Sequence, residues 1–166
     1  MKSFVSNSII DTHHLAAELL KNLTTNLICL YGDLGTGKTT FVQGLAKALG
    51  INHRIVSPTF VIVREYDIAA SSQPPAASTR QQETGNWMPD AGNWQQLIHI
   101  DCYRLDSAKD TKSFNPEEFW SDPKNLVVIE WAERIRDILP RKRIDIKFKY
   151  LSDKKREITL NNLITQ

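Results

Sequence analysis

Apolar positions recur along this chain with two periods, and together they predict alternating helices and strands. Over residues 11–23, Leu15, Leu19 and Leu20 fall at helical spacing, and Asp11 or Thr12 is placed to cap the first turn. Leu27-Ile28-Cys29-Leu30-Tyr31 is a short unbroken apolar run, the pattern of a strand buried on both faces. From Lys38 to Leu49, the residues Phe41, Val42, Leu45, Ala46 and Leu49 share one helical face, and Gly50 stands where helices commonly stop. Val61-Ile62-Val63 and residues 97–101 and 126–130 read as further strands, the last two ending in carboxylates, Asp101 and Glu130. Residues 131–139 predict a short helix stopped by Pro140. Ile144-Asp145-Ile146-Lys147-Phe148 alternates apolar and polar, which predicts a half-exposed antiparallel strand with residues 156–160 as its hairpin partner. The alternation defines an α/β fold with a mainly parallel central sheet flanked by helices and an antiparallel C-terminal hairpin.

One segment breaks the pattern. Residues 68–93 are rich in Ala, Ser, Gln and Pro and lack apolar periodicity, so they read as an exposed loop inserted between two strands. Trp87 and Trp94 are placed to pin its ends to the body. The chain's 166 residues otherwise fit a single domain spanning 1–166.

Charge removes some function classes. Lys and Arg number 21 against 19 acidic residues, a net charge of +2, which argues against broad charge-driven binding to DNA or RNA. Two local basic runs, Arg141-Lys142-Arg143 and Lys154-Lys155-Arg156, read as solvated strand ends. Cys29 and Cys102 each lie in an apolar run and read as buried free thiols. No apolar run approaches the length of a membrane span and no signal pattern opens the chain, so the expectation is a cytoplasmic protein without membrane contact.

The turn between the first buried strand and the following helix carries the chemistry. Gly32-Asp33-Leu34-Gly35-Thr36-Gly37-Lys38-Thr39 matches the phosphate-binding pattern G-x-x-x-x-G-K-[ST], in the strand–turn–helix context that the pattern requires. Gly35 and Gly37 allow the backbone N–H groups to point inward, and these donors, with the positive end of the helix, suit phosphate oxygens. Lys38 supplies a point charge for the β- and γ-phosphates. The Thr39 hydroxyl is a hard oxygen suited to Mg²⁺. Thr40, next to the motif, is in reach of the α-phosphate.

A phosphate loop of this kind works with a carboxylate near the metal, at the carboxyl end of a neighbouring strand. Asp101 and Glu130 both fit, one to serve magnesium and the other the attacking water, and the sequence does not assign the two roles. Ser57-Pro58-Thr59 follows the phosphate-loop helix, where switch loops that respond to the γ-phosphate occur. Its alternative reading is a plain turn.

Taken together, the run from Tyr31 to Thr40, Ser57-Pro58-Thr59-Phe60, His99-Ile100-Asp101-Cys102-Tyr103-Arg104-Leu105 and Ile129-Glu130-Trp131-Ala132-Glu133-Arg134 resemble the TsaE (YjeE) family. The resemblance covers nearly the whole chain outside the insertion. It implies a P-loop NTPase fold and a weak ATPase with ATP and Mg²⁺ as cofactors. It also implies TsaB-like and TsaD-like partners, a role in making threonylcarbamoyladenosine beside the tRNA anticodon, and tRNA contact only through the complex. It makes Lys38 and Thr39 phosphate and metal residues, Ser57 and Thr59 the switch, and Asp101 and Glu130 the magnesium and water carboxylates. Trp131 becomes a nucleotide-side or interface residue, and adenine falls between Ile9 and Asp153. Two stretches depart from the family pattern: the long insertion at 68–93, and residues 106–116, where a Glu-Leu-Glu-like helix and a Gly are usual.

Three other readings compete. A small-molecule kinase would want an Arg-bearing lid, and the only lid-length segment, 68–93, is poor in cations. A GTP switch would want an Asn-Lys-x-Asp motif, which the sequence lacks. A nucleotide-gated scaffold with little turnover grades into the weak ATPase.

Overall fold

The computed structural model describes residues 2–58, 62–68 and 94–161. Its strands are β1 (Lys2–Ser6), β2 (Leu27–Tyr31), β3 (Val63–Asp67), β4 (Gln96–Asp101), β5 (Asn125–Glu130), β6 (Ile144–Tyr150) and β7 (Arg156–Asn161), and its α-helices are α1 (Ile9–Leu20), α2 (Lys38–Ala48) and α3 (Pro116–Ser121). The strands form one seven-stranded sheet in the order β1-β7-β6-β2-β5-β4-β3. Its centre, β6-β2-β5-β4, is parallel, and both flanks are antiparallel.

The unbroken apolar runs have a direct structural cause. Successive residues of β2 point to opposite faces, and both faces are covered. Ile28 and Leu30 pack with Ala16 and Leu20 of α1 and Phe41, Val42 and Leu45 of α2. Leu27 and Cys29 pack in a second cluster with Ala132 and Ile135, flanked by Phe114, Phe119 and Trp120. A strand between two apolar layers has no polar face to show. Burial pushes both thiols up, Cys102 to about 12, which fits their role as small apolar groups.

Several expectations need correction. The expected antiparallel hairpin is present as β6–β7, but β6 is also an interior strand that runs parallel to β2, a pairing not foreseen. Its alternation records one-sided cover: Ile144, Ile146 and Phe148 are buried, while Lys147 and Lys149 face solvent. The strand expected at 61–63 instead starts at Val63 and runs to Asp67 at the sheet edge, after Ile62 turns through a left-handed φ of 68°. Residue 61 lies outside the described residues. The first helix begins at Ile9, because Ser8, rather than Asp11 or Thr12, is the cap that accepts the Asp11 N–H. The helix expected from Trp131 is a 3₁₀ helix over Ala132–Ile138. Three elements were not anticipated: β1, the 3₁₀ helix Ala108–Ser113 and α3.

The basic runs are only partly solvated. Arg143 Nε donates to Asp145 at 2.8 Å, and the Tyr31 hydroxyl donates to the same carboxylate oxygen at 2.9 Å. Arg156 turns back onto the phosphate loop, whereas Lys154 and Lys155 stay exposed. At the end of α2, Gly50 adopts φ 74°, and the N–H groups of Gly50 and Ile51 close on the carbonyls of Lys47 and Ala46, as in a Schellman motif.

α1 and α2 pack tightly at Gly44, where a Cβ would sit 2.7 Å from the His13 Cα and 3.0 Å from the Ala16 Cβ. Backbone cannot yield as a flexible side chain can. Gly44→Ala is therefore expected to lower stability by about 1–3 kcal/mol through overpacking, even though alanine favours a helix by ~1 kcal/mol over glycine. Chemical denaturation checks this, and an unchanged or raised midpoint would show that the helices separate at little cost.

Candidate functional site

Because β2 is central, the turn after it opens at the carboxyl end of the sheet, where ligands bind in open α/β folds. Gly32, Gly35 and Gly37 take φ values of 133°, 75° and 102°, and a Cβ on Gly32 would meet the Phe148 carbonyl oxygen at 2.4 Å. α2 starts directly after, at Lys38. The Lys38 side chain is 4% exposed; its Nζ donates to the carbonyls of Gly32 at 2.5 Å and Asp33 at 2.9 Å and lies 3.9 Å from the centre of the Trp131 ring. Burial draws its pKa below the ordinary lysine value, opposed by the charges of Glu130, Glu133, Asp101 and Asp33.

Asp101 and Glu130 face each other across the β4–β5 register and are both buried. β5 lies beside β2, and β4 is one strand further out. The Thr39 hydroxyl, in the first turn of α2, lies 2.9 Å from Glu130 Oε1 and 3.0 Å from Oε2. Asp101 accepts from the Ser57 hydroxyl on one oxygen and from the Tyr103 N–H at 2.9 Å on the other. Trp131, at φ 57°, stands beside Tyr103 with ring centres 5.0 Å apart. Leu34 through Thr40, Ser57, Asp101, Tyr103, Glu130 and Trp131 line one cleft of about 340 Å³.

A second cleft of about 430 Å³ adjoins it through shared Gly35, Gly37 and Thr40. It brings together Ile9 and Asp153 with Ser8, Thr12 and Arg156. The Arg156 guanidinium donates to the Gly35 carbonyl at 3.3 Å and lies 4.6 Å over the Tyr150 ring, which ties the β6–β7 turn to the phosphate loop. A larger hollow of about 930 Å³ lies between β1 and α1, but neither the phosphate loop nor Asp101 or Glu130 lines it. Thr59 lies outside the described residues, as does Trp87, whereas Trp94 packs partly against the core.

Sequence reasoning gave no role to His99, Tyr103 or Arg156. His99 carried a readable signal, since it is a polar residue at a position where alternation with Leu97 demands a core side chain. Arg156 carried none, because a basic run looks the same whether it is solvated or folded back.

Among the described residues, no three His, Cys, Asp or Glu side chains gather as a metal cage. The donors that do converge are oxygens, from Thr39, Glu130 and Asp101, a set suited to a hard cation that keeps water and phosphate ligands. No helix among the described residues is long and apolar enough to cross a membrane.

A central parallel sheet, a glycine-rich phosphate loop opening a helix, and strand-end carboxylates beside it define a P-loop NTPase fold, a nucleotide-binding class. The chain belongs to the TsaE family: the family model for "Threonylcarbamoyl adenosine biosynthesis protein TsaE" matches residues 6–77 and 84–158. It is similar to the tRNA threonylcarbamoyladenosine biosynthesis protein TsaE of Aquifex aeolicus, at 32% identity over 165 residues, with 96% of each chain covered. It is 38% identical over 112 residues to the protein of that name from Synechocystis; the match covers 66% of this chain and 55% of the relative. Among solved structures it resembles Bacillus subtilis YdiB, with a TM-score of 0.67 and 26% identity over 98% of this chain and 85% of that one.

Proposed function

We propose that this chain is a magnesium-dependent ATPase that supports threonylcarbamoylation of the tRNA adenosine next to the anticodon. It acts in the cytoplasm with TsaB-like and TsaD-like partners and meets tRNA only through that complex. Residues 1–166 serve as one ATPase domain, and the stretch at about 68–93 is an insertion in it. The observation that carries the chemical part of this reading is the convergence of Lys38, Thr39, Asp101 and Glu130 on one cleft at the phosphate loop. The family match, and the names its relatives bear, support the biological part.

Each side chain has a task in this reading. The backbone N–H groups from Gly35 to Thr39 and the Lys38 ammonium bind the phosphates, so Lys38 exchanges the carbonyls of Gly32 and Asp33 for phosphate oxygens. Thr39 and Glu130 hold magnesium, which when bound neutralises charge on the β- and γ-phosphates. Asp101, fixed by Ser57 and the Tyr103 N–H, orients the attacking water. Ser57 sits at the start of the Ser-Pro-Thr switch, so its bond to Asp101 couples that loop to the water site. Adenine lies in the second cleft, against Ile9 and Asp153.

Titration of ATP and GTP with magnesium, followed by analysis of the phosphate released, tests the reading. ATP should bind more tightly, and its γ-phosphate should appear as inorganic phosphate. Preference for GTP, or transfer of phosphate to a small-molecule acceptor, would overturn it.

A further inference from the structure

His99 is fully buried in the middle of β4, at 0% exposure. Two residues along the strand on either side, Leu97 and Asp101 share its face, and Leu97 packs in the cluster beneath α1 and α2. Its register partner on β5 is Val128, another member of that cluster. An aliphatic side chain would suit these surroundings, whereas burying an imidazole without partners is costly. Its one hydrogen-bond contact among the described groups is with Glu130: His99 Nε2 lies 2.9 Å from Glu130 Oε1. Nδ1 is buried and has no partner among the described residues.

We propose that His99 is a positioning residue that holds the Glu130 carboxylate in the orientation magnesium requires. The inference rests on the reading of Glu130 as the magnesium-side carboxylate. An ionised carboxylate only accepts hydrogen bonds, so Nε2 carries a proton. Glu130 is then held from two sides. His99 donates to Oε1 from within the sheet, and the Thr39 hydroxyl reaches both oxygens from α2. With Oε1 engaged by the imidazole, rotation of the carboxylate is checked, and Oε2 stays beside Thr39. Groups that hold a metal-binding side chain from behind typically contribute 10–100-fold to metal affinity or activity.

The test compares the wild-type chain with His99→Leu and His99→Gln. ATP binding is titrated at fixed nucleotide over a range of magnesium concentrations and also without magnesium, alongside thermal melts. Turnover is measured with the partner proteins present. His99→Leu is expected to stay folded and to keep the wild-type affinity for ATP without magnesium. It should need ~10-fold more magnesium for half its effect on binding, and kcat should fall while KM for ATP at saturating magnesium holds. His99→Gln restores a donor and should recover part of the loss. A folded His99→Leu with a wild-type magnesium requirement would overturn the inference. So would equal losses of affinity with and without magnesium, because those mark a purely structural role.

A measurement on the wild type keeps the inference open to refutation even if His99→Leu does not fold. Nitrogen-15 NMR of the imidazole should show a proton on Nε2, and an imidazole protonated at Nδ1 alone would overturn the proposal. If magnesium has no effect on ATP binding by the wild-type chain, the functional reading itself fails. A wild-type response to magnesium that His99→Leu leaves unchanged sinks only this inference.

Discussion

Lys38→Ala is expected to remove most of the chain's affinity for a nucleoside triphosphate. Lys38 is buried at the mouth of the phosphate loop, and Nζ already spans two carbonyls, Gly32 and Asp33, within 3 Å. Those bonds hold the ammonium ready at the site that the phosphates would fill. Each charge-assisted hydrogen bond to phosphate is worth about 1.5–3 kcal/mol, offset in part by the carbonyl bonds given up, so truncation corresponds to a fall in affinity on the order of 10–100-fold. Truncation also removes the bulk of a buried side chain. Lys38→Met, which keeps most of that bulk, separates the two effects and should lose affinity nearly as badly. Calorimetric titration of ATP is the check. If Lys38→Met binds ATP as tightly as wild type, the loop does not hold the phosphates as described.

The second large effect should fall on turnover. Glu130→Ala and Asp101→Ala are each expected to reduce hydrolysis in the assembled complex on the order of 100-fold or more, while nucleotide binding stays measurable. In the proposed mechanism, ground-state affinity comes from the loop N–H groups and Lys38, and neither substitution removes them. On the same proposal the carboxylates act on metal and water, so their loss should fall on the transition state. The two should differ in their response to magnesium. Glu130 contacts the Thr39 hydroxyl through both oxygens, whereas Asp101 is held by Ser57 and the Tyr103 N–H. Glu130→Ala should therefore raise the magnesium requirement more than Asp101→Ala does. Glu130→Ala also leaves Thr39 and His99 without their shared acceptor, so Glu130→Gln is the better-folded companion. Near-normal turnover in either alanine variant would remove that residue from the site.

The parts of this molecule legible in its sequence are those that a single residue pattern determines. The β2 run is apolar because helices or loops cover both sheet faces, so its strand could be read directly. The phosphate loop was legible because φ values of 75° and 102° at Gly35 and Gly37 favour glycine. Strand order was not legible. That β5 rather than β4 lies beside β2 depends on pairings between residues ~100 apart, and nothing local to Glu130 or Asp101 encodes it. β6 was read as a half-exposed strand antiparallel to β7, but its parallel pairing with β2 was not legible, because period-2 alternation reports how many faces are covered, whatever the strand direction. β1 went unread because a short edge strand with mostly exposed residues has little apolar signal. The pairing of His99 with Glu130 joins two elements 31 residues apart, so the buried histidine could be noticed in sequence but its partner could not.

The proposal most in need of a test is that ATP hydrolysis at this loop supports threonylcarbamoylation of tRNA. The most direct measurement is the amount of threonylcarbamoyladenosine formed on unmodified tRNA by purified TsaB-like and TsaD-like partners. Threonylcarbamoyl donor, ATP and magnesium are supplied in excess, and this chain is added as wild type or as Lys38→Ala, or omitted. The account predicts sustained product formation, with matching phosphate release, only when the wild-type chain is present. Equal product with Lys38→Ala, or with the chain left out, would contradict it.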